Sequence, residues 1–388
     1  MRTISIKTCV RFFSFLFFAF SFLILLRVFL LNSYPDFGQY YFGFKEMLLQ
    51  TNPYAQVGKA FTSTTYPPIA MVLFSPFSIT PFVMAQKVWT LLSLVSLFLS
   101  IYLIFKICKK TPVSSLGFFI LGLICLSFPV KFTLGMGQIN NLIFFLTVLA
   151  IFLLQKKQQI FAGVSLAVSL AVKFFPIFFP PYFILIKKWK LLFSLILTFI
   201  ILNLIAFILN SKINIYFYEK VFPTLLSGWK TDYYNQSLTG FIGRSFISGI
   251  FREALKDVLS LVFVVVSFFV VFRSLKNGKL QNMHFGLLIT LNLILNNFSW
   301  QHHFVFMIFP FLVTLFFIID RKLSYKNLIF LFIAYLLIAS NIKNPNDFPI
   351  LFRSHVFYGA VLMWALQTFI IWKDSHKLRL NSSSALKH

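Results

Sequence analysis

Long apolar blocks, each close to the thickness of a bilayer's hydrocarbon core, decide what this chain can fold into. They fall at about 10–31, 82–105, 113–130, 140–154, 160–172, 174–186, 190–210, 257–273, 282–299, 303–319, 325–341 and 355–372. A helix needs roughly 20 apolar residues to cross about 30 Å of hydrocarbon. In that medium backbone groups must satisfy one another, which leaves helices or closed barrels. The runs are continuous and do not alternate, so helices are expected. Only 11% of the 388 residues are charged, against about 25% in soluble domains. The expectation is an all-α polytopic membrane protein, a bundle of about 12 transmembrane helices forming a single domain over 1–388.

The net charge of +26 is not spread over a face that would grip nucleic acid. It sits in short clusters between apolar blocks: Lys106/Lys109/Lys110, Lys156/Lys157, Lys187/Lys188/Lys190, Arg273/Lys276/Lys279, Arg321/Lys322/Lys326 and the tail at 373–388 with Lys373, Lys377 and Arg379. With the N-terminus inside, all of these fall on the cytoplasmic side, and a parity error would scatter them. The N-terminal basic residues and apolar run resemble a signal peptide, but the run is too long for one, so an uncleaved first helix is expected. Cys9, Cys108 and Cys125 are too few and too scattered for a disulfide framework or a metal site. The proline-rich stretch from Pro67 to Ile79 reads as re-entrant or interfacial. The region 160–186 reads as two short helices bent near Pro176, Pro180 and Pro181. Two extracytoplasmic loops, about 32–81 and 211–256, are long enough to be structured. The end of the tail, from Asn381, reads as disordered.

Seven of the nine acids lie on the expected outer side: Asp36, Glu46, Glu219, Asp232, Glu253, Asp257 and Asp347. Asp36 comes directly after the first helix, where partial desolvation raises a carboxyl's pKa and its strength as a proton acceptor. The plainer reading makes Pro35-Asp36 the cap of a helix over Phe37–Leu49, and spacing alone favours that. His302 and His303 stand between the ninth and tenth blocks. Adjacent histidines point apart and make poor co-ligands for one metal, so interfacial side chains beside Trp300 are the competing reading. Lys173 lies within apolar sequence and calls for an anionic partner, or is a snorkelling helix end. Arg244 suits a phosphate clamp or a solvated loop. No P-loop and no inner aspartate pair for a nucleotide-sugar's metal occur.

Seven segments in order resemble the glycosyltransferase 87 family, membrane enzymes with the GT-C fold. They are Tyr34–Tyr41, Asn52–Tyr54, Tyr66–Pro68 leading to Pro76, Gly137–Asn141, Ala162-Gly163 leading to Lys173 and Pro176, Asn235–Leu238 with Arg244, and Ser299–His303. The resemblance implies a GT-C-like bundle and an inverting transfer of a hexose, typically mannose, from a polyprenyl-phosphate donor to the hydroxyl of a glycan or glycolipid acceptor. By position it makes Asp36 the base and Lys173, Arg244, His302 and His303 contacts of the donor phosphate. Tyr40, Tyr66, Gln138, Asn140, Asn235 and Gln236 become substrate-contact candidates, with no metal and no cofactor. The chain would sit in the plasma membrane with both termini cytoplasmic and its site extracytoplasmic. Two other readings compete. A transporter or flippase of a lipid-linked saccharide would place polar sites near the midplane in repeated halves, and no repeat is visible. Another GT-C enzyme, such as an arabinofuranosyltransferase, would keep the mechanism and change the donor.

Overall fold

The computed structural model describes residues 5–31, 34–54, 65–227, 231–245 and 249–385. The start of the first expected loop at 32–33 and parts of both loops at 55–64, 228–230 and 246–248 lie outside the described residues. The described chain is helical: α1 Ile6–Leu26, α2 Pro35–Leu48, α3 Pro68–Leu73, α4 Ser75–Ser78, α5 Phe82–Ile107, α6 Ser115–Leu126, α7 Phe128–Met136, α8 Asn140–Gln155, α9 Gln159–Lys173 and α10 Phe179–Leu185. There follow α11 Trp189–Leu209, α12 Ser211–Tyr216, α13 Phe222–Ser227, α14 Leu238–Ser245, α15 Ile250–Ser274, α16 Gln281–Leu295, α17 Ile308–Asp320, α18 Tyr325–Ala339 and α19 His355–Ala385.

Among the described residues, six helices are long and apolar enough to span a membrane, and seven if α6 and α7, bent by 53°, count as one. The spans start at Ile6, Phe82, Trp189, Ile250, Gln301 and Phe352, and α8, α9 and α18 are shorter apolar helices. A polytopic, membrane-integral, all-α protein is therefore what the sequence folds into. Three expectations need correction. The block at 174–186, expected as the second of two short helices, holds a helix of only seven residues, α10. Phe174 turns left-handed (φ 50°) and ends α9, and Pro176 follows, where a proline cannot continue a helix. The last helix does not stop near 372 but continues to Ala385, so the segment from Asn381 is helical as far as it is described; good helix formers such as Lys, Leu and Arg carry it past the apolar block. The eighth block begins earlier than expected, at Ile250. The stretch at 67–79 matches expectation: α3 and α4 have six and four residues, so neither crosses.

The chain divides into two compact units, one of residues 1–175 and 188–228, the other of 176–187 and 229–388. In the first, α1 packs along α6, α5 along α8, and α9 lies between α8 and α11. Gly163 lets α9 close on α11: a Cβ there would meet the Leu191 carbonyl oxygen at 2.5 Å. The first loop is structured by α2, α3 and α4, and Met47, Tyr54, Met71, Ile213, Phe217 and Val221 form a buried core beneath it. In the second unit α19 is central and packs against α15, α16 and α18. Lys109, Lys157, Lys187 and Lys322 all take left-handed backbone (φ 48–63°) just after α5, α8, α10 and α17. At three of these turns the next amide closes a six-residue loop back onto the helix: Lys110 onto Phe105, Gln158 onto Leu153, Leu323 onto Ile318. That is the Schellman stop, which glycine usually occupies.

Candidate active site

In the first unit the site begins where the first span ends. Lys87, on α5, donates to the carbonyls of Phe29 (2.7 Å) and Leu31 (2.8 Å), and the Tyr34 hydroxyl donates to the Val28 carbonyl (2.7 Å). Those carbonyls lie at the end of a helical segment and carry the negative end of its dipole; that of Val28 also accepts from the Leu31 N–H. Chain entering α2 is thereby fixed. Pro35 opens that helix, and Tyr34 at its cap offers no side-chain bond. The cap reading of Asp36 therefore fails, although a helix starts where it predicts one. The buried carboxylate turns instead to a residue 102 positions away: Gln138 donates to Oδ2, and Gln39 donates to Oδ1 at 3.3 Å.

Gln138 is the hub. Its Oε1 accepts from Tyr66 (2.9 Å), Lys173 (3.4 Å) and Tyr40 (3.5 Å). Lys173 Nζ also donates to Asn140 Oδ1 and to the Tyr66 hydroxyl (3.4 Å). All three oxygens that accept hydrogen bonds from Lys173 are uncharged. The Tyr40 and Tyr66 rings meet edge to face at 4.9 Å, and Tyr54, which sequence reasoning did not select, donates to the Tyr66 carbonyl at 2.8 Å. Asp36, Tyr40, Tyr66, Gln138, Asn140 and Lys173 thus stand in one network, drawn from α2, the segment before α3, the α7–α8 turn and the end of α9.

Gly137 places the hub. Its φ of 69° ends α7, and a Cβ there would lie 2.8 Å from Tyr34 Cβ and 2.9 Å from Phe37 Cβ. Only glycine meets both demands at no cost. Trp89 Nε1 donates to the Gly137 carbonyl at 2.7 Å and locks the turn. Trp89 and Lys87 were not selected from sequence, because both read as ordinary residues of a spanning helix.

Burial pushes the Asp36 carboxyl up to about 6, while the bond from Gln138 and the charge of Lys173 pull the other way and only partly offset it. Burial likewise holds the Tyr40 and Tyr66 hydroxyls above the usual phenol range, and the nearby Asp36 charge adds to the effect. Near neutrality, then, the Asp36 carboxyl is poised to exchange a proton and the two phenols act as neutral donors.

The remaining predicted residues belong to the second unit. Residues 234–236 and 299–301 exchange backbone bonds, Gln236 N to the Ser299 carbonyl (2.8 Å) and Gln301 N to the Tyr234 carbonyl (3.0 Å). The Asn235 amide reaches the Asn297 carbonyl (2.8 Å), and the Gln236 amide reaches those of Tyr233 (2.6 Å) and Arg353 (2.8 Å). Both side chains are fully buried and engaged with backbone. Arg244 donates to the carbonyls of Asp232 and Asn235 and to Ser354 Oγ (2.8 Å). Burial lowers its guanidinium to about 10, which leaves it charged at neutral pH. His303 Nδ1 accepts from Trp300 N at 3.2 Å, and the buried rings of His302 and His303 stand edge to face 4.5 Å apart. Two segments that lie far apart in sequence thus form one knot. Among the described residues no three His, Cys, Asp or Glu side chains are grouped to hold a metal ion.

The family model for glycosyltransferase family 87 matches residues 64–296, well over half of the chain. The chain belongs to that family. As a family 87 protein it is a membrane glycosyltransferase, an enzyme that moves a sugar from a donor to an acceptor. The matched stretch contains Tyr66, Gln138, Asn140, Lys173, Asn235, Gln236 and Arg244, begins after Asp36 and Tyr40, and ends before His302 and His303. Comparison with curated proteins and comparison with solved structures each returned no match.

Proposed function

We propose that this family 87 enzyme is an inverting hexosyltransferase that moves mannose from a polyprenyl-phosphate donor to a hydroxyl of a glycan or glycolipid, with Asp36 as the base. The observation that carries this reading is a buried carboxylate, held at one oxygen by Gln138, whose proton affinity is lifted to about 6. In the reaction the acceptor O–H gives its proton to Asp36 as its oxygen forms a bond to the sugar's anomeric carbon. The bond from that carbon to the phosphate oxygen breaks, and the electron pair leaves with polyprenyl phosphate. Charge grows on that phosphate, so a cation beside it favours the transition state over the ground state. Lys173, whose hydrogen bonds go to neutral oxygens, is assigned to it. Arg244, His302 and His303 are assigned the same ligand on the resemblance alone, and Tyr40, Tyr66, Asn140, Asn235 and Gln236 are assigned to the substrates. The membrane is the plasma membrane, with both termini cytoplasmic and chemistry on the other face.

The deciding experiment uses purified protein and synthetic polyprenyl-phosphate sugars, with products resolved by chromatography. Asp36→Asn is expected to fold as the parent does and to lose at least about 100-fold in transfer, since general bases contribute about 10²–10⁴-fold. Substantial transfer by that variant rules Asp36 out as the base. Movement of labelled donor lipid across proteoliposomes without a new glycosidic bond would instead favour a transporter.

A further inference from the structure

Gln39 lies one helical turn after Asp36 on α2 and donates from Nε2 to Asp36 Oδ1 at 3.3 Å. That bond fixes which way the amide faces, because the reverse orientation would set two acceptor oxygens against each other. Its other atom, Oε1, is buried and receives no hydrogen bond from any described residue. A buried carbonyl left unpaired costs free energy and asks for a donor. The Asp36 carboxylate has the matching need: Gln138 occupies Oδ2, whereas Oδ1 has only the long bond from Gln39 and keeps room for another donor. Two acceptor oxygens with unmet capacity therefore belong to side chains that one amide hydrogen bond joins.

We propose that Asp36 Oδ1 and Gln39 Oε1 together read a pair of neighbouring hydroxyls on the acceptor, which makes the acceptor a polyhydroxylated sugar and Gln39 the residue that orients it. One hydroxyl donates to Asp36, surrenders its proton and attacks. Its neighbour donates to Gln39 and keeps its proton. A monohydric acceptor would leave Gln39 unpaired and be held in no fixed rotation, which is costly where a reaction depends on orientation. The inference rests on Asp36 being the base, as proposed above.

The experiment offers octyl α-mannoside, its monodeoxy derivatives and octanol as acceptors to the wild-type enzyme and to Gln39→Leu, with polyprenyl-phosphate mannose as donor. In the wild type, loss of one hydroxyl abolishes transfer and marks the nucleophile. Loss of a neighbour is expected to lower kcat/KM about tenfold, mainly through KM, the effect of one lost buried hydrogen bond. In Gln39→Leu the parent glycoside should fall by the same factor and the neighbour-deoxy compound should not change, so discrimination between them disappears. The proposal is overturned by equal discrimination in wild type and Gln39→Leu, by indifference of the wild type to every neighbouring hydroxyl, or by transfer to octanol but to no glycoside. A fully active Asp36→Asn, or no transfer to any acceptor by the wild type, overturns the underlying function instead.

Discussion

An exposed aspartate is ionised throughout the physiological range, but Asp36, whose proton affinity burial lifts to about 6, changes state within it. Only the ionised form accepts a proton, so the sign of the acidic limb is fixed: transfer should fall as pH drops through about 6. A rate that stays flat from pH 8 to pH 5 would disagree. The Gln138 bond favours the ionised form, so Gln138→Leu should move the acidic limb to higher pH as well as reduce the rate. The same shift bears on stability. The folded form holds this proton more tightly than the unfolded chain, so ionised Asp36 costs stability. That cost is present at pH 7 and disappears as pH falls through 6 towards the unfolded value near 3.8. Asp36→Asn should therefore melt no lower than the parent at neutral pH.

At the scale of elements, the end of α7 matters more than its length suggests. A side chain at residue 137 must adopt an unfavourable backbone angle and also press on Tyr34 and Phe37. Gly137→Ala should cost about 1–3 kcal/mol of stability and, by displacing Gln138, a larger share of activity than of folded protein. Comparison of a thermal-unfolding midpoint with the specific activity of folded enzyme checks both parts. This element also shows what a sequence can and cannot reveal. The spanning helices were legible because an apolar block must bury itself whatever its neighbours do. The prolines at 176, 180 and 181 announced two short helices over 160–186, but the left-handed Phe174 that ends the first, and the mere seven residues of the second, are backbone geometry that composition does not report. Asp36 looked like a cap because a local pattern cannot register a partner 102 residues away. Tyr66, Gln138 and Lys173 were selected, yet that one amide joins them is a property of the fold. Lys87 and Trp89 carried no signal at all, being ordinary in composition and decisive only through the carbonyls they reach.

At the scale of the whole molecule, orientation in the membrane governs everything proposed for Asp36. Reporter fusions at Lys110, Lys157 and Lys322 should all read cytoplasmic, and fusions within 36–54 should read outside. A mixed result among the three lysine sites would overturn the assignment. The backbone at these turns adds something that charge counting alone does not supply. Lysines 109, 157, 187 and 322 occupy the one conformation in which glycine would be sterically easier. In the proposed orientation each would combine a helix stop with a positive charge on the cytoplasmic side. The two roles separate in a Lys→Gly exchange at all four turns: mature protein already in the bilayer should withstand heat at least as well as before, while newly made chains, stripped of four markers, should thread in the wrong direction more often. A protein made hardier yet delivered less faithfully would be the signature of turns that trade conformational ease for guidance.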